Sequence, residues 1–300
     1  MTKKISKDET MFHLMLLPTV VVLLIYNYFP ILSGIMISFK KYLPTLGILK
    51  SEWIGFDNFK FIFSFPDFKR ALINTLTIAS SKIVMELVIS ITFALLLNEV
   101  RISFVKRTVQ TIVYLPHFVS WVLLSGILID ILSPRYGIIN QILGLLGIDP
   151  IFFLGDNQWF KVTVVITHVW KEFGWNTIIY LAALAGIDPT LYEAAIVDGA
   201  GRWKQTIHVT LPGISSVIIL MMTLSLGSIL SAGFDQIYNL YSKIVYESGD
   251  ILDTFVFRIG FQSAQFSIAT AAGLFQSVVS FILIIVSYKA AYRYAGYTII

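Results

Sequence analysis

The 300-residue chain is 56% hydrophobic and 13% charged, with a mean hydropathy of +0.78, where soluble globular proteins run about 25% charged. It has no cysteine, and its formal charge of +4 is spread over loops, which excludes a disulfide framework, a thiolate nucleophile, a Cys-ligated metal and a nucleic-acid-binding patch. The apolar material falls in separate runs long enough to cross a core of about 30 Å, which takes about 20 helical residues, so the expected fold class is all-α, a polytopic membrane helical bundle rather than a β-barrel.

Residues 1–11 form a short charged leader with Lys3, Lys4 and Lys7, and no small-residue cleavage site follows it, so the first span is expected to be retained. That span covers about 12–39 and contains Pro18 and Pro30, which imply kinks. The loop from Lys40 to Arg70 carries Trp53-Ile54-Gly55-Phe56-Asp57-Asn58-Phe59, an aromatic stretch suited to a membrane interface. The second and third spans are expected at about 71–97 and 108–132, joined by a tight basic turn with Arg101, Lys106 and Arg107. A short apolar piece, 138–148, predicts a small interfacial helix before the fourth span at about 160–186.

Residues 187–212 are polar. Asp188 suits an N-cap and Pro189 the first helical position, Gly199 and Gly201 permit an elbow, and Pro212 is expected to stop the second of two short helices. A fifth span follows at about 213–232, then an external loop over 233–262 and a sixth span at about 263–288, whose Ala269, Ala271, Ala272 and Gly273 allow close helix approach. The six-span domain thus extends over 12–290, and residues 291–300 form a tail. Six spans put both termini on one side, and the basic residues are too evenly divided to orient the chain by themselves.

No G-x-x-x-x-G-K-[ST], H-E-x-x-H or G-x-S-x-G occurs, and the four histidines, His13, His117, His168 and His208, are scattered. No catalytic residue and no metal site are therefore assigned. Ionisable groups inside spans are functional candidates by default. Lys82 and Glu86, four apart, are expected to neutralise one another, whereas Lys171 and Glu172 are adjacent and point apart. With His168, Trp175 and Asn176 they make the fourth span the best candidate to line a polar pathway, the alternative being bridges to neighbouring helices. His117, Trp121 and Asp130 on the third span, Tyr238 in the last loop and Gln276 on the sixth span add to it. Aromatic faces and amides suit a sugar.

Glu193-Ala194-Ala195, three residues, Gly199, nine residues, Val209, one residue and Leu211-Pro212 resemble the EAA loop of permease subunits in binding-protein-dependent ABC importers, with Val209 where the family usually has Ile. The W-x-G-x-x-N-F pattern is similar to the first external loop of sugar-importer permeases. The run from Phe234, continuing into ATAAGLFQSVVSF, resembles permeases that import oligosaccharides with a lipoprotein-type binding protein. The resemblance implies a maltose-type permease, with Glu193, Ala194, Ala195, Asp198, Gly199, Arg202, Leu211 and Pro212 coupling it to an ATPase. It further implies a second permease subunit, two ATP-binding-cassette ATPases, an extracellular solute-binding protein and a carbohydrate substrate, in a bacterial plasma membrane with both termini cytoplasmic. This chain would bind no cofactor itself, ATP and Mg residing on the ATPases. The remaining alternatives are a permease for another solute, such as glycerol-phosphate, and an ion-coupled secondary transporter.

Overall fold

The structure, a computed structural model, describes residues 7–295; the start of the expected leader (1–6) and the end of the expected tail (296–300) lie outside the described residues. The chain divides into two compact units, one of residues 1–66 with 256–275, the other of residues 67–255 with 276–300.

In the first unit, α1 (Lys7–Leu23) passes through a π turn at Leu24–Tyr28 into α2 (Phe29–Ser38), a stretch continuous enough to cross a membrane from Met11 to Ser38. The chain then makes a two-stranded antiparallel ribbon, β1 (Lys40–Lys41) against β2 (Glu52–Trp53), around the short α3 (Gly47–Lys50), and closes with α4 (Asp57–Ser64). The aromatic motif packs on itself. Phe39 stacks on Trp53 at 5.6 Å between ring centroids and meets Phe56 edge-on at 5.2 Å. The motif's asparagine satisfies backbone that the end of the first span leaves open: Asn58 Nδ2 donates to the carbonyls of Ser38 (2.8 Å) and Lys40 (3.0 Å). Gly55 supplies the left-handed turn, φ +61°, that brings Asn58 back to them.

The second unit is built on α5 (Pro66–Asn98), α6 (Ser103–Tyr114), α7 (Trp121–Ile131), the short α8 (Ile138–Leu145) and α9 (Asn157–Ala185). A hairpin of α10 (Pro189–Val197) and α11 (Arg202–Gln205) follows. A π turn at Thr206–Thr210 then leads into α12 (Leu211–Gly213) and α13 (Ser215–Gly227). Next come α14 (Phe234–Leu240), α15 (Tyr246–Gly249) and α16 (Leu252–Phe257), and the last helix, α17 (Phe266–Ala295), begins in the first unit and continues in the second.

Helical spans agree with the six expected only if bent pairs are counted as one: α1–α2, α5 and α17 pass unbroken, and three further pairs are bent. The expected third span is not one helix. Pro116 sits in a tight turn, Leu115–Phe118, Ser120 caps a fresh helix by accepting the Leu123 N–H, and the two pieces meet at 103°. The expected fifth span is likewise short, 13 residues in α13, set at 59° to the helix before it. Pro212 does not stop that preceding helix. The π turn just ahead of it widens the helix where a proline ring would strike an α-helical carbonyl, so the helix runs one residue past Pro212 to Gly213 and bends at Ile214.

The largest correction concerns residues 233–262, expected as an external loop. Gln236, Ile237, Ile251, Leu252 and Phe255 are completely buried, and Ile237 and Ile251 belong to the core formed by Ile78 of α5, Leu124 of α7 and Phe160 and Val164 of α9. The loop can enter the core because α5 satisfies its backbone. Asn74 Nδ2 donates to Glu247 O and Asp250 O, both at 3.0 Å, and Thr75 Oγ1 accepts from Leu252 N at 2.8 Å. A second core, Ala94, Tyr180, Leu184 and Ile214, joins α5 and α9 to the bend below α13.

Replacing Asn58 by Ala leaves two buried carbonyls without their donor, which costs about 1–3 kcal/mol. The thermal unfolding midpoint of the detergent-purified protein is expected to fall; an unchanged midpoint would remove Asn58 from this role.

Candidate functional site

Asp156 starts α9 by accepting the Gln158 and Trp159 N–H groups, and the helix then runs 29 residues with His168, Glu172 and Asn176 spaced four apart along one face. Against it lies the broken segment between α6 and α7. At Gly174 the helix surface touches the Val113 backbone of α6, so closely that an added Cβ would collide with it. Broken backbone within a span requires internal partners. Lys171 supplies one, its Nζ donating to His117 O at 2.8 Å and to Glu172 Oε1 at 2.9 Å. Glu172 Oε2 lies 2.6 Å from His117 Nδ1. The two neighbours on α9 therefore do pair, contrary to the sequence expectation, because both side chains lean into the same turn.

Aromatic rings pack this group. His117 stacks on Trp175 at 4.5 Å between centroids, Trp121 lies parallel to His168 at 6.3 Å, and Lys171 Nζ sits 5.5 Å from the Trp121 ring centre. Expected pathway residues of the third and fourth spans are thus brought into one network. Asp130 is exposed on α7, outside it.

Lys82 and Glu86 were expected to form a pair, and they do not. Glu86 takes His168 Nε2 at 3.2 Å through Oε2 and Asn176 through Oε1. Lys82 is buried and donates to Ala232 O at 2.7 Å and Gln236 Oε1 at 2.5 Å. Gln236 in turn donates to Val164 O and Thr167 Oγ1. The i, i+4 spacing placed both ions on one face but did not reveal α14, which competes for the lysine. Gln236, in a segment that reads as a loop, carried no signal in the sequence.

Lys82, Glu86, His168 and Asn176 line a cleft of about 410 Å³ together with Ser225, Ser228 and Ser231. Gln276 lies outside this lining and closes one end of the wall: its Nε2 donates to Leu230 O at 2.8 Å and Asp253 Oδ1 at 2.9 Å, and Ser231 also donates to Asp253. Burial pushes the Asp253 carboxyl above the usual carboxylate range, against the pull of the Gln276 and Ser231 hydrogen bonds. Tyr238 stacks on Phe234 at 5.1 Å between centroids, away from the cleft lining. Among the described residues no three His, Asp or Glu side chains form a metal-binding group.

The hairpin of α10 and α11 is a separate surface. Asp188 accepts the Thr190 N–H at 2.9 Å, and the hydrogen bonds from Thr190 hold its carboxyl below the usual range. Gly199 turns the chain with φ +75°, and nothing lies within 4 Å of the position its Cβ would occupy. Glu193, Ala194, Asp198, Arg202 and Pro212 are exposed, whereas Ala195 and Leu211 are half-buried against the hairpin's own root. Tyr192 and Thr210 bond across the two arms at 3.0 Å, Gln205 Nε2 donates to Ala200 O, and Arg202 pairs with Glu99 at the end of α5.

A family model described as the inner membrane component of binding-protein-dependent transport systems matches residues 86–296. Protein LplB of Bacillus subtilis (strain 168) is 45% identical over 93% of this chain and 87% of its own length. The polygalacturonan/rhamnogalacturonan transport system permease protein YteP of the same organism is 41% identical over 94% of this chain and 88% of its own. Among solved structures, a chain of a bacterial alginate ABC transporter, in complex with an alginate pentasaccharide-bound periplasmic protein, superposes with a TM-score of 0.88. Its identity is 38%, over 96% of both chains.

Replacing Glu172 by Ala strands the buried Lys171 ammonium and is expected to destabilise the protein by roughly 3 kcal/mol, more than the double variant Lys171→Met/Glu172→Leu. Thermal unfolding of the three proteins in detergent checks the order; equal midpoints would mean that the pair is solvated.

Proposed function

The chain belongs to the family of binding-protein-dependent transport system inner membrane components, a membrane-spanning permease subunit of an ABC importer and not an enzyme. From that premise we propose that it forms one half of the translocation pathway for an oligosaccharide. A second, homologous permease supplies the other half, two ATPase subunits bind ATP and Mg and hydrolyse the nucleotide, and an extracellular binding protein delivers the sugar. The observation that carries this reading is the exposed hairpin with its Glu193-Ala194-Ala195 helix and left-handed Gly199, joined through the Ile214 core to the helices that carry the cleft. The substrate class is supported by the relatives, whose names specify polygalacturonan/rhamnogalacturonan and alginate, and by a cleft whose amide and hydroxyl groups suit sugar hydroxyls.

In this reading Glu193, Ala194, Ala195, Asp198, Gly199 and Arg202 meet the ATPase, and Leu211 and Pro212 hold the hairpin's return arm. The hairpin faces the cytoplasm, and with six spans both termini lie on that side. Closure of the ATPases on ATP displaces the hairpin. Ile214, packed on Ala94, Tyr180 and Leu184, passes the displacement to α5 and α9, which bear Lys82, Glu86, His168 and Asn176. The cleft is thereby exposed alternately to the two sides. His117, Trp121, Lys171, Glu172 and Trp175 support the pathway wall at the broken span, and Tyr238 and Gln276 flank it.

Uptake by the complex reconstituted in vesicles is expected to require ATP and to survive an ionophore. Uptake that continues without ATP and collapses with the ion gradient would identify an ion-coupled transporter instead.

Gly199 separates backbone from contact. Asn tolerates a left-handed conformation that costs other side chains about 1–2 kcal/mol, so Gly199→Asn keeps the turn while adding bulk to its outer surface. Such a variant is expected to fold and pair with the second permease but to lose ATPase copurification and binding-protein-stimulated hydrolysis. Normal stimulation in Gly199→Asn would make the hairpin a connector only.

A further inference from the structure

The two buried lysines in the helices around the cleft are solvated differently. Lys171 has a carboxylate, Glu172, at 2.9 Å. Lys82, 4% exposed, has only neutral oxygens, Ala232 O and Gln236 Oε1, and among the described residues no carboxylate lies within 4.0 Å of its Nζ. An ammonium has three N–H donors, and these two bonds use two of them. The carboxylate one turn along, Glu86, is occupied by His168 and Asn176. Lys82 lines the cleft beside Gly233, whose missing side chain leaves room next to the ammonium: a Cβ on Gly233 would sit 3.3 Å from Nζ.

We propose that Lys82 is a substrate-binding residue whose remaining N–H receives the carboxylate of an acidic sugar unit, making the cleft selective for uronate-containing oligosaccharides over neutral ones. This rests on the oligosaccharide reading above and narrows it. A buried ammonium with no carboxylate in contact is costly, and an arriving carboxylate supplies that contact, so attraction is concentrated on the anionic substrate. Asn176, Ser225 and Ser228 are placed on the same cleft to meet ring hydroxyls. Gln236, saturated by its own bonds, fixes the lysine head and acts as a positioning residue.

The test uses the complete complex in vesicles, with binding protein loaded to saturation with trigalacturonate or with its fully methyl-esterified, neutral counterpart. Three proteins are compared: wild type, Lys82→Gln, which removes the charge but keeps N–H donors, and Lys82→Arg, which keeps the charge. Losing one charge-assisted hydrogen bond corresponds to a fall of about tenfold or more in uptake efficiency. The expected result is that Lys82→Gln shows this fall for the acid and a clearly smaller one for the ester, while ATPase stimulation and copurification persist, and that Lys82→Arg retains most acid uptake. Equal losses for acid and ester, or undiminished acid uptake in Lys82→Gln, would overturn the inference alone. A wild type that carries the ester as efficiently as the acid would also overturn it, a comparison that depends on no variant folding. Uptake of neither sugar by an assembled, ATP-hydrolysing wild type would overturn the oligosaccharide reading and this inference together.

Discussion

Backbone polar groups inside a bilayer have no water to fall back on, and this structure is arranged around places where the helices stop short. The chain breaks between α6 and α7, at Ile214 before α13, and after α13. At two of these breaks a lysine from a neighbouring helix reaches the freed carbonyls: Lys171 at His117 O, Lys82 at Ala232 O. The same two side chains then recruit the rest of the polar network. Each lysine is thus at once a structural donor and a buried charge.

Much of the architecture was legible because it depends on local signals. Hydropathy alone located the apolar runs, and Asp188-Pro189 and Gly199 marked the hairpin with its cap and its left-handed turn. What remained hidden was non-local. Pro116 is one proline among nine, and nothing in its neighbours distinguishes a kink from a 103° break. The segment 233–262 reads as loop because its apolar residues are interleaved with Tyr, Asn and Asp. Its burial depends on Asn74, which donates to its carbonyls, and Thr75, which accepts one of its N–H groups, both more than 170 positions away.

The candidate site follows the same division. Residues on one helix face, His168, Glu172 and Asn176, could be grouped from spacing, and the structure groups them. Pairing could not be read the same way. Lys82 and Glu86 share a face and still choose partners on other elements, since geometry at 2.5–3.2 Å with α9 and α14 outcompetes a neighbour one turn away. Adjacent Lys171 and Glu172 illustrate the converse, meeting because a third group, the His117 turn, draws both.

Two of the π turns stand directly ahead of prolines, Leu24–Tyr28 before Pro30 and Thr206–Thr210 before Pro212. A π turn is one residue inserted into an α-helix. Removing a residue from 206–210 would therefore not merely shorten the return arm of the hairpin. It would rotate Arg202–Gln205 by about 100° relative to Leu211–Gly213, because each helical residue carries that angle. The exposed Trp203 and the Arg202–Glu99 pair would turn to a different face while the helix itself stayed intact. Chain length in this segment is thus a phase setting: insertions and deletions here act on which face the hairpin presents.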